Sequence, residues 1–154
     1  MIVPWCVDVP QERWPVVNWL IVAASIAVFA LQIAEFARTA SDPTAAAGQN
    51  AVRGITDVML LNGWSLTGLF GHIWIHGDLM HLLGNMWFLW IFGNAVCAKV
   101  GNLRYLVLYV LLGTTAGVTH LLFDSRPALG ASGAINGVVG MYLVLFYENR
   151  ITCY

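Results

Sequence analysis

The fold turns on LMHLLGNMWFLWIFGNAVCA, Leu79 to Ala98. A helix rises 1.5 Å per residue, so a run of this length crosses the roughly 30 Å hydrocarbon core of a bilayer. The run is apolar nearly throughout, yet it carries His81 and Asn85. Residues four apart share a helix face. Both side chains donate hydrogen bonds and neither need carry charge. Polar groups inside hydrocarbon are costly and mark functional sites, so this face is where chemistry is to be sought.

The surrounding composition agrees with a bilayer as solvent. The 154 residues are 59% hydrophobic and 10% charged, whereas soluble domains are about 45–50% apolar and about 25% charged. The net charge of -1 gives no footing for nucleic acid. Cys6, Cys97 and Cys153 are scattered and odd in number, which builds neither a disulfide framework nor a CxxC metal knuckle. Cys97 is expected in a membrane helix as an unpaired thiol.

Three further spans follow from the same length criterion. The four lie near 15–37, 79–98, 103–123 and 132–147, after an N-terminal segment, 1–14, expected to be cytoplasmic. In the first, VVNWLIVAASIAVFALQIAEF (Val16 to Phe36), Pro15 suits a first helical turn and Trp14 and Trp19 suit an interface. This run is too long for the core of a cleavable signal and reads as a retained anchor. The long first loop, 38–78, contains GWSLTGLFGHIWIHGD, Gly63 to Asp78. Glycines break it too often for it to span, and it is too apolar for water. It is predicted to be re-entrant or interfacial, packed against the bundle. The predicted fold is thus an all-α polytopic helical bundle.

Lys and Arg set the orientation. A cytoplasmic N-terminus places Arg13, Lys99, Arg104 and Arg150 inside, against Arg38, Arg53 and Arg126 outside. The tightest loop holds Lys99 and Arg104 together, and short loops weigh most. The expected arrangement is N-terminus inside, first loop outside.

The fourth span opens with Gly130-Ala131-Ser132-Gly133, a GxSG pattern. The first N–H groups of a helix lack intrahelical partners and its dipole is positive there. A serine at that place has donors beside it that hold an oxyanion. Ser132 is therefore the candidate nucleophile, with its own N–H, His81 and Asn85 as the oxyanion donors. Gly130 and Gly133 are read as leaving room for substrate backbone. Gly133, Gly137 and Gly140, echoed by Gly113 and Gly117 on the third span, are read as small faces for close helix packing. Each feature alone has a plainer reading: GxSG as a packing motif, Asn85 as interhelical glue, His81 as a structural histidine. Their combination is harder to dismiss.

WIHGDLMHLLGNMWFLWIFGNAV, followed one span later by ALGASGAINGVVGMYLVLF, resembles the rhomboid intramembrane serine proteases. The matching residues are His76, His81, Asn85 and Gly130-Ala131-Ser132-Gly133, and the resemblance covers Pro15 to about Ile151. It implies a rhomboid-like bundle with four of an expected six helices present. It also implies a water-filled cavity open to the non-cytoplasmic side and a first loop partly in the outer leaflet. Transmembrane protein substrates with a single pass would be cut in or near their membrane segment. No metal and no cofactor is implied, and the expected location is a multi-pass place in a membrane, a prokaryotic plasma membrane.

The family's base is a histidine on the sixth helix, completing a Ser–His dyad. His72, His76, His81 and His120 do not match that position. Met1 looks like a natural start and ENRITCY does not look like a natural end, so the chain is expected to be a piece of a longer protease and inert as it stands. Trp64 is followed by Ser65 where the family commonly has arginine, and Asn136 stands where some members have an aromatic residue. Two alternatives remain. One is an inactive pseudoprotease that binds membrane helices, favoured by the missing base and opposed by Ser132, His81 and Asn85. The other is a metal-binding or transport protein, suggested by the i,i+4 spacing of His72 and His76 but poor in intramembrane carboxylates.

Overall fold

A computed structural model describes residues 4–9, 12–41, 54–124, 126–149 and 151–153. Among the described residues three helices are long and apolar enough to cross a membrane: α1 (Val16–Ser41), α4 (Leu79–Val100) and α5 (Asn102–Phe123). Between α1 and α4 lie the short α2 (Ile55–Met59) and α3 (Leu66–Gly71). The last helix, α6 (Ser132–Leu145), has 14 residues, so it is about 21 Å long. A strand, β1 (Pro4–Val7), pairs antiparallel with β2 (Ile151–Cys153), a pairing that nothing in the apolar pattern announces.

Local chemistry explains where these elements start and stop. Asp78 caps α4, its Oδ1 accepting the His81 N–H at 2.8 Å, and Ser65 caps α3 by accepting the Gly68 N–H at 3.1 Å. At Gly101 the chain turns from α4 into α5 with φ +89°, a left-handed conformation that favours glycine. The neighbouring Asn102 ties three ends together. Its Oδ1 accepts the Val17 N–H at 2.9 Å and the Cys97 S–H at 3.3 Å, while its Nδ2 donates to the Trp14 carbonyl at 3.1 Å. Lys99 reaches Glu12 at 2.6 Å and holds that carboxyl below its usual range, though an exposed pair of this kind adds little stability.

These contacts fix an up-and-down order. The start of α1 meets the α4–α5 turn, and Gln32, farther along α1, meets His76 just before α4. Along α5 and α6, Gly133 lies on Ala116 and Gly137 on Leu112, an antiparallel register. β2, after α6, returns to β1, before α1. Hence the N-terminus, the α4–α5 turn and the end of α6 share one side. The outer faces remain apolar: Phe123 is 86% exposed and Val144 76%. Such surfaces are expected against lipid rather than water, and the chain is an all-α membrane protein.

The glycines correct part of the sequence reading. Gly133 and Gly137 do permit close helix packing, against α5, but Gly140 meets nothing within 4 Å. Gly113 and Gly117 chiefly receive the first loop, Gly113 also facing Ala134 of α6 and Gly117 facing Leu69 of α3. A Cβ on Gly113 would meet Ile73 Cγ2 at 2.7 Å, and one on Gly117 would meet His72 Cε1 at 2.9 Å. The first loop is thus seated on α5 beside α6.

In the middle of α4, residues Leu89–Gly93 form a π-helical turn. Asn18 of α1, fully buried, accounts for it. Its Nδ2 donates to the Leu89 carbonyl and to Asn94 Oδ1, both at 2.9 Å, and its Oδ1 accepts the Tyr105 hydroxyl at 2.7 Å. A Cβ on Gly93 would lie 2.5 Å from Asn18 Oδ1, so only glycine leaves room for this knot of polar groups.

Candidate functional site

The site is assembled by the first loop, the start of α4 and the segment entering α6. Gln32 and Glu35 of α1 hold the loop from one side. The Gln32 side chain accepts the His76 N–H at 3.1 Å and donates to the His76 carbonyl at 3.4 Å and to Thr56 Oγ1 at 3.1 Å. Glu35 Oε2 accepts the Ile55 N–H at 3.0 Å. From the other side, Leu61 and Ala128 exchange backbone hydrogen bonds at 3.1 and 3.0 Å, and the Gly130 N–H donates to the His72 carbonyl at 2.8 Å. The chain approaching Ser132 is thus fastened to the loop at two points.

Gly130 has φ +115°, and its bare Cα is the seat of the His81 ring. A Cβ there would lie 2.6 Å from His81 Cε1 and 2.8 Å from its Nε2. This changes the purpose assigned to two glycines: the space at Gly130 is taken by His81, and that at Gly133 by Ala116 Cβ, at 2.5 Å from a Cβ built there. Neither side-chain position is free for a substrate backbone. Ala131 is fully buried, whereas Ser132 is exposed at the head of α6. No side chain caps that helix start.

Behind His81 stands His76, 2% exposed. The two rings meet edge to face with centroids 5.3 Å apart. Burial, with the neighbouring His81, holds the His76 imidazole down to about 4, so it is neutral at physiological pH. One turn along α4 from His81, Asn85 is buried with 8% exposure. Its Nδ2, like both ring nitrogens of His76, has no hydrogen-bond partner among the described residues. Buried donors are normally paired, and the first half of α4 packs directly against α6.

Of the residues singled out from sequence, His76, His81 and Gly130 touch, Ser132 lies two residues beyond Gly130, and Asn85 continues the His81 face. His72 and His120 are engaged elsewhere. His72 Nδ1 lies 2.9 Å from the Gly68 carbonyl, and His120 Nε2 lies 2.8 Å from the Arg126 carbonyl. Among the described residues no histidine hydrogen-bonds Ser132. The metal-binding alternative loses its premise. α3 ends at Gly71, so His72 is its cap and His76 lies beyond it, and the two do not share a helix face. No group of three or more potential ligands occurs among the described residues. What the sequence reading missed is Gln32, whose only signal is an amide inside the apolar run FALQIAEF.

Comparison with known proteins bears on this arrangement. A sequence model of the rhomboid domain matches residues 63–154. The chain is 37% identical over 76 residues to Rhomboid protease GluP of Bacillus subtilis, covering 49% of this chain and 15% of that protein. It is 36% identical over 93 residues to RHOMBOID-like protein 5 of Arabidopsis thaliana, covering 54% and 30%. It is 31% identical over 71 residues to Rhomboid protease GlpG of Salmonella newport, covering 46% and 26%. The chain thus spans well under half the length of each of these relatives. The domain match runs from the seated loop through α4, α5 and α6, over more than half of the sequence, and the chain belongs to the rhomboid family.

Proposed function

We propose that the protein is an intramembrane serine endopeptidase cleaving single-pass membrane proteins, with Ser132 as nucleophile. The observation that carries this reading is the seating of His81 on Gly130, two residues before Ser132, with the buried Asn85 Nδ2, without a partner among the described residues, on the same face of α4. The chain is also similar to relatives named as proteases. Ser132 Oγ would attack the scissile carbonyl, and the tetrahedral oxygen would be held by the Ser132 N–H, His81 and Asn85. Collapse of that intermediate breaks the C–N bond, the leaving amine takes a proton, and water then hydrolyses the acyl-serine. His81 and Asn85 act here as donors only, so a separate base must take the serine proton. In this proposal the base is a histidine outside these 154 residues, and no cofactor takes part. Residues 1–14 are assigned to the cytoplasm of a prokaryotic cell and residues 15–154 to the membrane domain.

The pseudoprotease reading draws on one fact, that no described histidine is bonded to Ser132. The full-length protein decides between them. A fluorophosphonate probe is expected to label it, and Ser132→Ala to abolish both labelling and cleavage of a single-span substrate. Undiminished cleavage by Ser132→Ala would end the serine-protease reading, and a wild-type protein inert to probe and substrate alike would favour the pseudoprotease.

A further inference from the structure

We propose that Gln32 on α1 is a positioning residue for the oxyanion site, acting through the main chain of His76 and the edge-to-face His76 and His81 rings. The inference rests on the protease reading given above. Its starting point is the chemistry of one amide. Gln32 sits in an otherwise apolar stretch of a membrane helix, where an unpaired polar side chain is costly. It spends its acceptor on the His76 N–H at 3.1 Å and its donor on the His76 carbonyl at 3.4 Å. This is the pattern by which a neighbouring strand would hold that residue. A second donation, at 3.1 Å to Thr56 Oγ1, fixes the amide plane.

What Gln32 holds is not a generic loop residue. The peptide of His76 carries a ring that is 2% exposed and stands edge to face against His81 at 5.3 Å. His81 also meets Gly130, where a built Cβ would lie 2.6 Å from the ring. His81 is therefore in contact with both His76 and Gly130, which together form a clasp. Gly130 is itself fixed by its N–H to the His72 carbonyl, four residues before His76. The remaining freedom of the clasp lies in the His76 main chain, and Gln32 is the side chain that holds both of its polar groups. Small misplacements of catalytic groups are expensive, of the order of 10²-fold for about 1 Å.

The test uses full-length protein in liposomes with a single-span substrate. Gln32→Leu is expected to lower kcat about 10–100-fold while KM stays within about threefold, because substrate contacts are untouched. Gln32→Glu keeps the size and the acceptor but loses the amide donor, and is expected to fall between Leu and wild type. It serves if Gln32→Leu does not fold. The decisive readout is a double-mutant cycle with His81→Ala. If Gln32 acts through His81, either Gln32 change adds nothing to the loss already caused by His81→Ala. Additive losses, or a change confined to thermal stability with kcat intact, would overturn the proposal. Unchanged cleavage by His81→Ala would likewise overturn it, whereas the protease reading fails differently, by Ser132→Ala leaving cleavage unchanged.

Discussion

Asn85 is a buried amide whose Nδ2 has no partner among the described residues. If it waits for charge that appears only in the transition state, Asn85→Ala should lower kcat about 10–1000-fold and change KM little. Steady-state kinetics of the full-length protein check this, and an unchanged kcat would leave Asn85 as interhelical packing. At this scale the sequence was most readable where spacing alone decides neighbours. His81 and Asn85 share a face because they are four apart on one helix. Gln32 was opaque for the opposite reason. Its partner is a backbone 44 residues away, and a main chain leaves no trace in the choice of side chain.

Among the elements, the knot at Asn18 makes the strongest claim. Asn18→Leu would leave the Tyr105 hydroxyl and the Asn94 side chain without their partner inside the bundle. A buried polar group stripped of its bond costs about 1–3 kcal/mol, so the variant should unfold at lower temperature or denaturant than wild type by roughly that amount. Thermal aggregation or denaturant titration in detergent reads the difference, and unaltered stability would show that the π-turn does not depend on Asn18. Long apolar runs announced the helices, and repeated glycines rightly marked Gly63 to Gly77 as unable to span. The partner of each glycine was not legible. Spacing says that a surface is small, not whether a helix or a loop such as Ile73 and His72 will fill it. The π-turn was hidden too, because its cause lies on α1, 71 residues from Leu89.

For the whole molecule, composition alone fixed the solvent, since a chain of 10% charge has too little polar surface to face water. Orientation in the membrane is the remaining global expectation. In a background without Cys6, Cys97 and Cys153, a cysteine replacing exposed Asp57 should react with an impermeant reagent in intact cells. One replacing exposed Arg104 should react only after permeabilisation, and the reverse pattern would invert the proposed orientation. The pairing of β1 with β2 has a consequence for the order of events in biosynthesis. Residues Pro4–Val7 find their partners at Ile151–Cys153, and at roughly 5–20 residues per second the ribosome needs about 7–30 s to make the second strand after the first. During that interval Pro4–Val7 lacks the partner it has in the fold, and an unpaired strand edge is a template for another chain. In the fold the helices place the two ends on one side. The closing step then joins neighbours instead of searching over the whole chain, and its entropic cost is correspondingly small.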